Sequence, residues 1–368
     1  MSKIFTFLKK EIVLTVSFVL AIISMIFVTP NEKYFDYIDF RTLGLLFSLM
    51  TVMAGFNKMG VFKVIAEYLL NKVNTMRGVT LSLVLLCFFS SMIITNDVAL
   101  ITFVPFSVVL LKLANKQNRM IFVVTLETIA ANLGSMLTPI GNPQNLYLFS
   151  AYNMSISDFF YTIAPYAMLS LGLLVIFSLF SDKSELANLG DREEVIFDKR
   201  LLTMYAVLFA IALLSVFRVL NYIVLLAIVI VFVLIFDRKV LLKVDYSLLF
   251  TFVFLFIFIG NLGNIAQINS WLSEIVGGNE VVVGVLASQV FSNVPAAILL
   301  SGFTCNAAAL MIGVNIGGLG TLIASMASLI SFKFIQKESV SIVKYLGVFT
   351  LLNVVFLAAN LALWVVFK

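Results

Sequence analysis

Solid apolar runs separated by short charged segments set the pattern of this chain. The runs cover 12–28, 42–56, 119–149, 159–180, 201–217, 221–236, 246–262, 306–332 and 345–367. A helix needs about 20 apolar residues to cross a bilayer, fewer where its ends sit among headgroups, so each run reads as a crossing. They lack the alternation that marks the roughly ten-residue strands of an outer-membrane barrel. The run 119–149 is long and broken by polar residues. Two further stretches, 78–111 and 281–304, carry a polar break at their middle and predict hairpins that enter and leave on one side. Residues 57–72 alternate apolar and basic positions at helical spacing, which predicts an interfacial amphipathic helix. The fold class is an all-α polytopic membrane protein.

Charge orients this map. Walking the chain gives nine crossings, with the N-terminus inside and the C-terminus outside. Of the 24 Lys and Arg, 20 then fall inside and only Lys33, Arg41, Arg218 and Lys368 outside, as the positive-inside rule requires. The first run follows Lys3, Lys9 and Lys10 as a signal peptide would, but no small-x-small site comes after it, so it is expected to remain as the first span. The longest polar loop, 181–200, is expected in the cytoplasm and divides the chain into 1–180 and 201–368. The location this implies is the cell membrane.

Composition narrows the chemistry. The chain has 368 residues, 62% hydrophobic and 12% charged, with a mean hydropathy of +1.11; a soluble domain carries about a quarter charged residues. Histidine is absent, and Cys87 and Cys305 each sit in an apolar run and read as buried small hydrophobes. That argues against His/Cys metal centres and haem, and leaves no Ser/His or Cys/His nucleophile; the chain is not expected to be an enzyme. Membrane orientation accounts for the net charge of +5 without a nucleic-acid partner. Of the 19 acids, 17 fall in loops or at helix ends, and Asp97 and Glu127 do not. An acid at the bilayer centre costs about 2.5–3.5 kcal/mol on insertion scales, so such a residue marks function.

Two motifs recur in order. Thr95-Asn96-Asp97 and Ser292-Asn293-Val294 sit at the hairpin middles. Asn132-Leu133-Gly134…Thr138-Pro139 and Asn315-Ile316-Gly317…Thr321 share one Asn-to-Thr spacing inside interrupted runs. The map has the hairpins entering from opposite sides, which is the inverted-repeat plan of secondary transporters, with binding at broken helices near the midplane. Residues 132–145, with two Pro, two Gly and four amides, make a poor continuous helix. Unpaired backbone at membrane depth is tolerated only where it is buried in protein or lines a cavity. A half-helix starting there favours an anion at its N-terminus, and the carbonyl ends with Ser and Thr hydroxyls suit a small hard cation such as sodium.

Together, Thr95-Asn96-Asp97, Ser292-Asn293 and Asn132…Thr138-Pro139-Ile140-Gly141-Asn142-Pro143-Gln144-Asn145 resemble the ion transporter superfamily. It includes arsenite-efflux permeases, sodium/proton antiporters and divalent anion–sodium symporters, and its small anion-permease-like members look closest. The resemblance implies a scaffold domain plus a transport domain, each repeat with a re-entrant hairpin and a broken transmembrane helix. It implies elevator-like or rocking alternating access and a homodimer through the scaffold. Carried over by motif, Thr95, Asn96, Asn132, Thr138, Asn142, Ser292, Asn293, Asn315 and Thr321 would line the substrate site. No cofactor is expected beyond a sodium ion, which, where it is the coupling ion, would bind near Thr95, Asn96 and Gly134 and near Ser292, Asn293 and Gly317. The chain departs from the antiporter and arsenite pattern at Asn142, where an acid is common, and from the dicarboxylate pattern at Val294-Pro295.

Secondary active transport of a small anion, coupled to sodium or protons, is the expectation. Asp97 is the coupling acid at the first tip. Glu127 is either a second proton site or a protonated carboxyl bonded between helices. No Lys or Arg is expected in the core, which leaves a sodium/proton antiporter as the alternative. Arsenite efflux is weaker, because Cys87 and Cys305 stand several residues from the motifs. A channel or an intramembrane enzyme finds little to build with.

Overall fold

The computed structural model describes residues 11–61, 64, 73, 75–184 and 198–368, and these are helical with no strand among them. In chain order the helices are α1 (Ile12–Phe27), the short α2 (Tyr34–Tyr37), α3 (Phe40–Lys58), α4 (Met76–Ile94), α5 (Asn96–Leu113), α6 (Met120–Ser135), α7 (Pro143–Ala151) and α8 (Ile156–Ser178). There follow α9 (Lys199–Val216), α10 (Tyr222–Phe236), α11 (Tyr246–Gly263), α12 (Ala266–Val276), α13 (Glu280–Phe291), α14 (Asn293–Ser301), α15 (Ala307–Ile316), α16 (Met326–Ile335) and α17 (Ile342–Phe367).

Short polar residues at the edges of the apolar runs start these helices. Asp39, Ser155, Asn221, Asp245, Asn306 and Ser341 each accept a first-turn amide through the side chain, which satisfies donors a helix N-terminus leaves open. Seven of the described helices, α3, α4, α5, α8, α9, α11 and α17, are long and apolar enough to cross a membrane. Outward-exposed Ile176, Val231, Phe250 and Leu351 give this bundle an apolar surface suited to lipid. The crossings expected at α1 and α10 are shorter, at 16 and 15 residues.

Both interrupted runs are broken helices: α6 stops at Ser135 and α7 starts at Pro143, and α15 stops at Ile316 and α16 starts at Met326. Both hairpins turn on a single residue, Thr95 between α4 and α5 and Ser292 between α13 and α14. The first hairpin differs from the second in reach. Its arms have 19 and 18 residues, each long enough to cross, against 12 and 9 in the second. Two full crossings also return the chain to the side it left, so the inside–outside map is unchanged. The sequence pattern missed α12, which runs into α13 through a 110° bend. Cys305 is exposed, not buried, because it lies in the loop between α14 and α15 rather than in a helix. Most of the amphipathic stretch 57–72 and the centre of the 181–200 loop lie outside the described residues.

α1 packs along α11, where Asn261 Nδ2 donates to Ser24 Oγ and to the Tyr34 hydroxyl, both at 2.9 Å. α3 packs on α9 and α10; Gly55 makes room for the Tyr205 ring, which lies 2.2 Å from where a Cβ would stand. The remaining helices cluster around the two breaks. α8 and α17, the last helices of their halves, meet through Asn360 Nδ2 and Ser170 Oγ at 3.2 Å.

The halves agree in local geometry where their motifs agree. Thr95 has φ 72° and ψ 152°, and Ser292 has φ 73° and ψ 154°. Gly134 packs on the hairpin arm before the first tip, where a Cβ would fall 2.2 Å from the Phe88 carbonyl oxygen and 2.7 Å from Ser91 Oγ. Gly317 packs on the second arm at the matching level, 2.8 Å from Ser288 Oγ and 2.9 Å from Val285 Cα by the same measure.

Candidate functional site

The site is built where the tips meet the breaks. Asn96, the first residue of α5, donates through its backbone N–H to the Gly141 carbonyl at 3.1 Å, tying the first tip to the first break. Its Nδ2 donates to Asn132 Oδ1 at 3.2 Å, and its Oδ1 accepts the Asp97 amide at 2.9 Å. Thr138 donates its hydroxyl to the Met92 carbonyl in the last turn of α4. On the second side, Ser292 Oγ reaches the Ala324 carbonyl only at 3.5 Å. Asn293 is buried beside Gly318, where a Cβ would stand 2.9 Å from its Nδ2.

The breaks are bonded to each other crosswise. Asn142, which caps α7, donates from Nδ2 to Ser135 Oγ at 3.1 Å and to Asn315 Oδ1 at 3.2 Å. Ser325, which precedes α16, donates from Oγ to Asn132 Oδ1 at 3.0 Å. Asn142 stands as far past Asn132 as Ser325 does past Asn315, so each half reaches across in the same way. Asn315 Nδ2 also donates to Asn145 Oδ1 at 2.7 Å and to the Met311 carbonyl at 2.8 Å. Buried amides in lipid are costly unless bonded; this network bonds Asn96, Asn132, Asn142, Asn145 and Asn315, while Gln144 Oε1 is buried without a partner. Asn132 Nδ2 is buried and unpartnered.

A cavity of about 620 Å³ opens on one side of this network. Thr95, Asp97, Ile140, Asn142 and Pro143 form one wall, and α3 with the start of α11 forms the other. Asn57, Lys58, Lys243 and Asp245 stand along it. Asp97 is in the first turn of α5, and its Oδ1 is buried without a partner. Lys58 pairs with Asp237 at 2.7 Å, and Tyr205 donates to the other Asp237 oxygen at 3.2 Å. Lys58 and Lys243 border the cavity, because the end of α3 and the segment before α11 fold against the first tip; no Lys or Arg is among the buried residues described.

Of the residues singled out in the sequence, Thr95, Asp97 and Asn142 line the cavity. Asn96, Asn132 and Asn315 lie behind it in the amide network. Ser292, Asn293 and Thr321 belong to the second tip and break and do not line it; Thr321 is exposed. Glu127 stands apart. It is fully buried and accepts Ser107 Oγ at 2.5 Å and the Cys87 thiol at 3.9 Å, both from the arms of the first hairpin.

Sodium was expected near Gly134 and near Gly317. At the second break the Gly317 carbonyl accepts Gln289 Nε2 at 2.8 Å. At the first tip the unpartnered Asp97 oxygen is open to a cation or a proton.

Comparison with known proteins places the chain in a family. Residues 4–311 match the family model described as CitMHS, citrate transporter. The chain is 32% identical over 336 residues to an uncharacterised transporter of Methanocaldococcus jannaschii, covering 90% of this chain and 92% of that protein. It is 33% identical over 313 residues to the inner membrane protein YbiR of Escherichia coli, covering 80% of each. A shorter match, 30% over 164 residues, joins 43% of this chain to 33% of a silicon efflux transporter of Oryza sativa subsp. japonica. By this family match and these long relatives, the chain belongs to the CitMHS family of membrane transporters.

Proposed function

We propose that the chain is a secondary active transporter that moves a small anion across the cell membrane, driven by a cation bound at Asp97. One observation carries this reading: an acid with an unpartnered buried oxygen stands in a cavity on which two helix N-termini converge. Those N-termini, of α5 and α7, favour negative charge, and Lys58 and Lys243 add attraction along the cavity. Asp97 opposes the anion while ionised. A proton or sodium ion at Asp97 removes that opposition, so cation and anion favour each other's binding by equal free energies.

The cavity wall is drawn from two groups of helices, and their relative movement would supply alternating access. α3 and α11 supply one face, and the first tip and break the other. The charge map puts the lysine end inside. On the expected outer side Arg218 donates to the Phe149 carbonyl at the end of α7 at 2.9 Å and lies 5.3 Å over its ring. This is an inward-facing arrangement, with Arg218 closing the far side.

A sodium/proton antiporter is the second reading, favoured by Asp97 and Asp245 sharing the cavity. Proteoliposomes separate the two. Under the first, a panel of anions includes one whose uptake an imposed sodium or proton gradient drives, and Asp97→Asn loses accumulation while retaining anion exchange. Gradient-driven accumulation at the wild-type level in Asp97→Asn contradicts the assignment. Sodium-driven proton movement with no anion present supports the antiporter.

A further inference from the structure

Gln289, three residues before the second tip, was not among the expected site residues. Its Nε2 donates to the carbonyl oxygens of Gly317 at 2.8 Å and Leu319 at 2.9 Å, with Val285 O at 3.3 Å. Its Oε1 accepts the backbone N–H of Thr321 at 3.0 Å. The loop is shaped around this group: Gly320 has φ +110°, and a Cβ there would fall 2.5 Å from Gln289 Oε1. The first half solves the same problem with a different residue. Met92 takes the place of Gln289, and Asn145 Nδ2 donates to the Met136 and Thr138 carbonyls at 2.9 and 3.2 Å.

We infer that the Gln289 side-chain amide occupies the carbonyl cluster of the second break as a fixed donor, so that this half binds no alkali cation and any coupling cation binds at the first tip. Carbonyl oxygens converging on one point are what a bare cation seeks. Here an NH2 group, with two hydrogens to give, takes the two nearest. The cluster also presents an N–H, from Thr321, which a cation cannot satisfy and an amide oxygen can. A neutral amide avoids the cost of charge at membrane depth, but it carries none across and gathers no energy from a gradient.

The number of cations moved per cycle rests on the transport reading above. The occupancy of the carbonyls does not, and it is tested without transport. Radioactive sodium bound per chain is counted on the purified full-length protein at pH 8, with choline as the control ion. Wild type is expected to bind no more than one sodium. Gln289→Glu sets a carboxylate among the carbonyls and is expected to bind one more than wild type, with a melting temperature that rises in sodium over choline by more than the wild-type rise. Two sodium ions on wild type overturn the inference, and so does Gln289→Glu binding the wild-type number. The wild-type count stands by itself if the variant does not fold.

Discussion

Thr95 and Ser292 hold the same backbone conformation, φ 72°, ψ 152° and φ 73°, ψ 154°, at hairpin tips in opposite halves of the chain. This region of backbone space belongs almost wholly to glycine and costs other residues about 1–3 kcal/mol; for β-branched Thr95 it is a true outlier. Two separate strands of sequence keep the strain, and both follow it at once with an asparagine that opens a helix. A tip of this shape aims that helix N-terminus at the break beside it.

Relief of the strain should therefore stabilise the fold. Thr95→Gly is expected to gain about 1 kcal/mol, the released strain less the entropy glycine adds to the unfolded chain. Anion uptake should fall as the hydroxyl leaves the cavity wall. Ser292→Gly should shift melting in the same direction, since its 3.5 Å contact is at the limit of a hydrogen bond. Lower melting temperatures in both variants would contradict the strain assignment.

The bond from Asn142 to Asn315 joins the two breaks and should register as coupling. Asn142→Ala and Asn315→Ala are each expected to cost about 1–3 kcal/mol by stranding a buried partner. The double variant should cost less than the sum, with a coupling of about 0.5–3 kcal/mol. Denaturant or thermal unfolding of the four proteins measures it, and strict additivity refutes the contact.

Glycine at 134 is set by space. In Gly134→Ala the methyl would meet the Phe88 carbonyl oxygen at 2.2 Å, and overpacking of this kind costs about 1–3 kcal/mol. Gly172, exposed on α8 with nothing within 4 Å, is the control. Gly172→Ala should gain about 0.5–1 kcal/mol from lower backbone freedom. Equal melting temperatures for the two variants would remove the close approach of α4 and α6 from the account.

Lys58 has two partners in prospect, Asp237 and the anion. Its side chain is 42% exposed and that of Asp237 5%. Removal of a partner from a buried pair costs about 3–5 kcal/mol; with Lys58 this exposed, Lys58→Ala is expected to cost about 1–2 kcal/mol. Asp237→Asn in the same protein should restore much of the stability and none of the anion affinity. Restored uptake in the double variant would show that Lys58 serves structure alone.

Much of this was legible in the sequence because lipid enforces it. Backbone cannot break inside a bilayer without reason, so the Gly, Pro and Asn of 132–145 mark the first break in the sequence itself, and the paired Asn-to-Thr spacing marks the second. What escaped depends on contacts between distant segments. Ser325 is one serine among many until it is seen to donate to Asn132. Gln289 reads as an ordinary polar residue near the end of a short helix. Lys58, Lys243 and Asp245 lie at the ends of apolar runs, where charge is expected anyway, and nothing local shows that three such ends fold around Asp97. Glu127 was singled out correctly as a buried acid, yet its place between the hairpin arms and away from the cavity depends on how α4, α5 and α6 pack.

The crosswise bonds of Asn142 and Ser325 also bear on how the molecule is made. The first half leaves the ribosome with Asn132 and Asn142 still waiting for groups that have not been translated. Neither half can reach its finished form in the membrane alone, and the last turns to settle are those synthesised farthest apart in time. Cutting the gene between the codons for residues 184 and 198 should yield two fragments that are each degraded alone and accumulate only when expressed together.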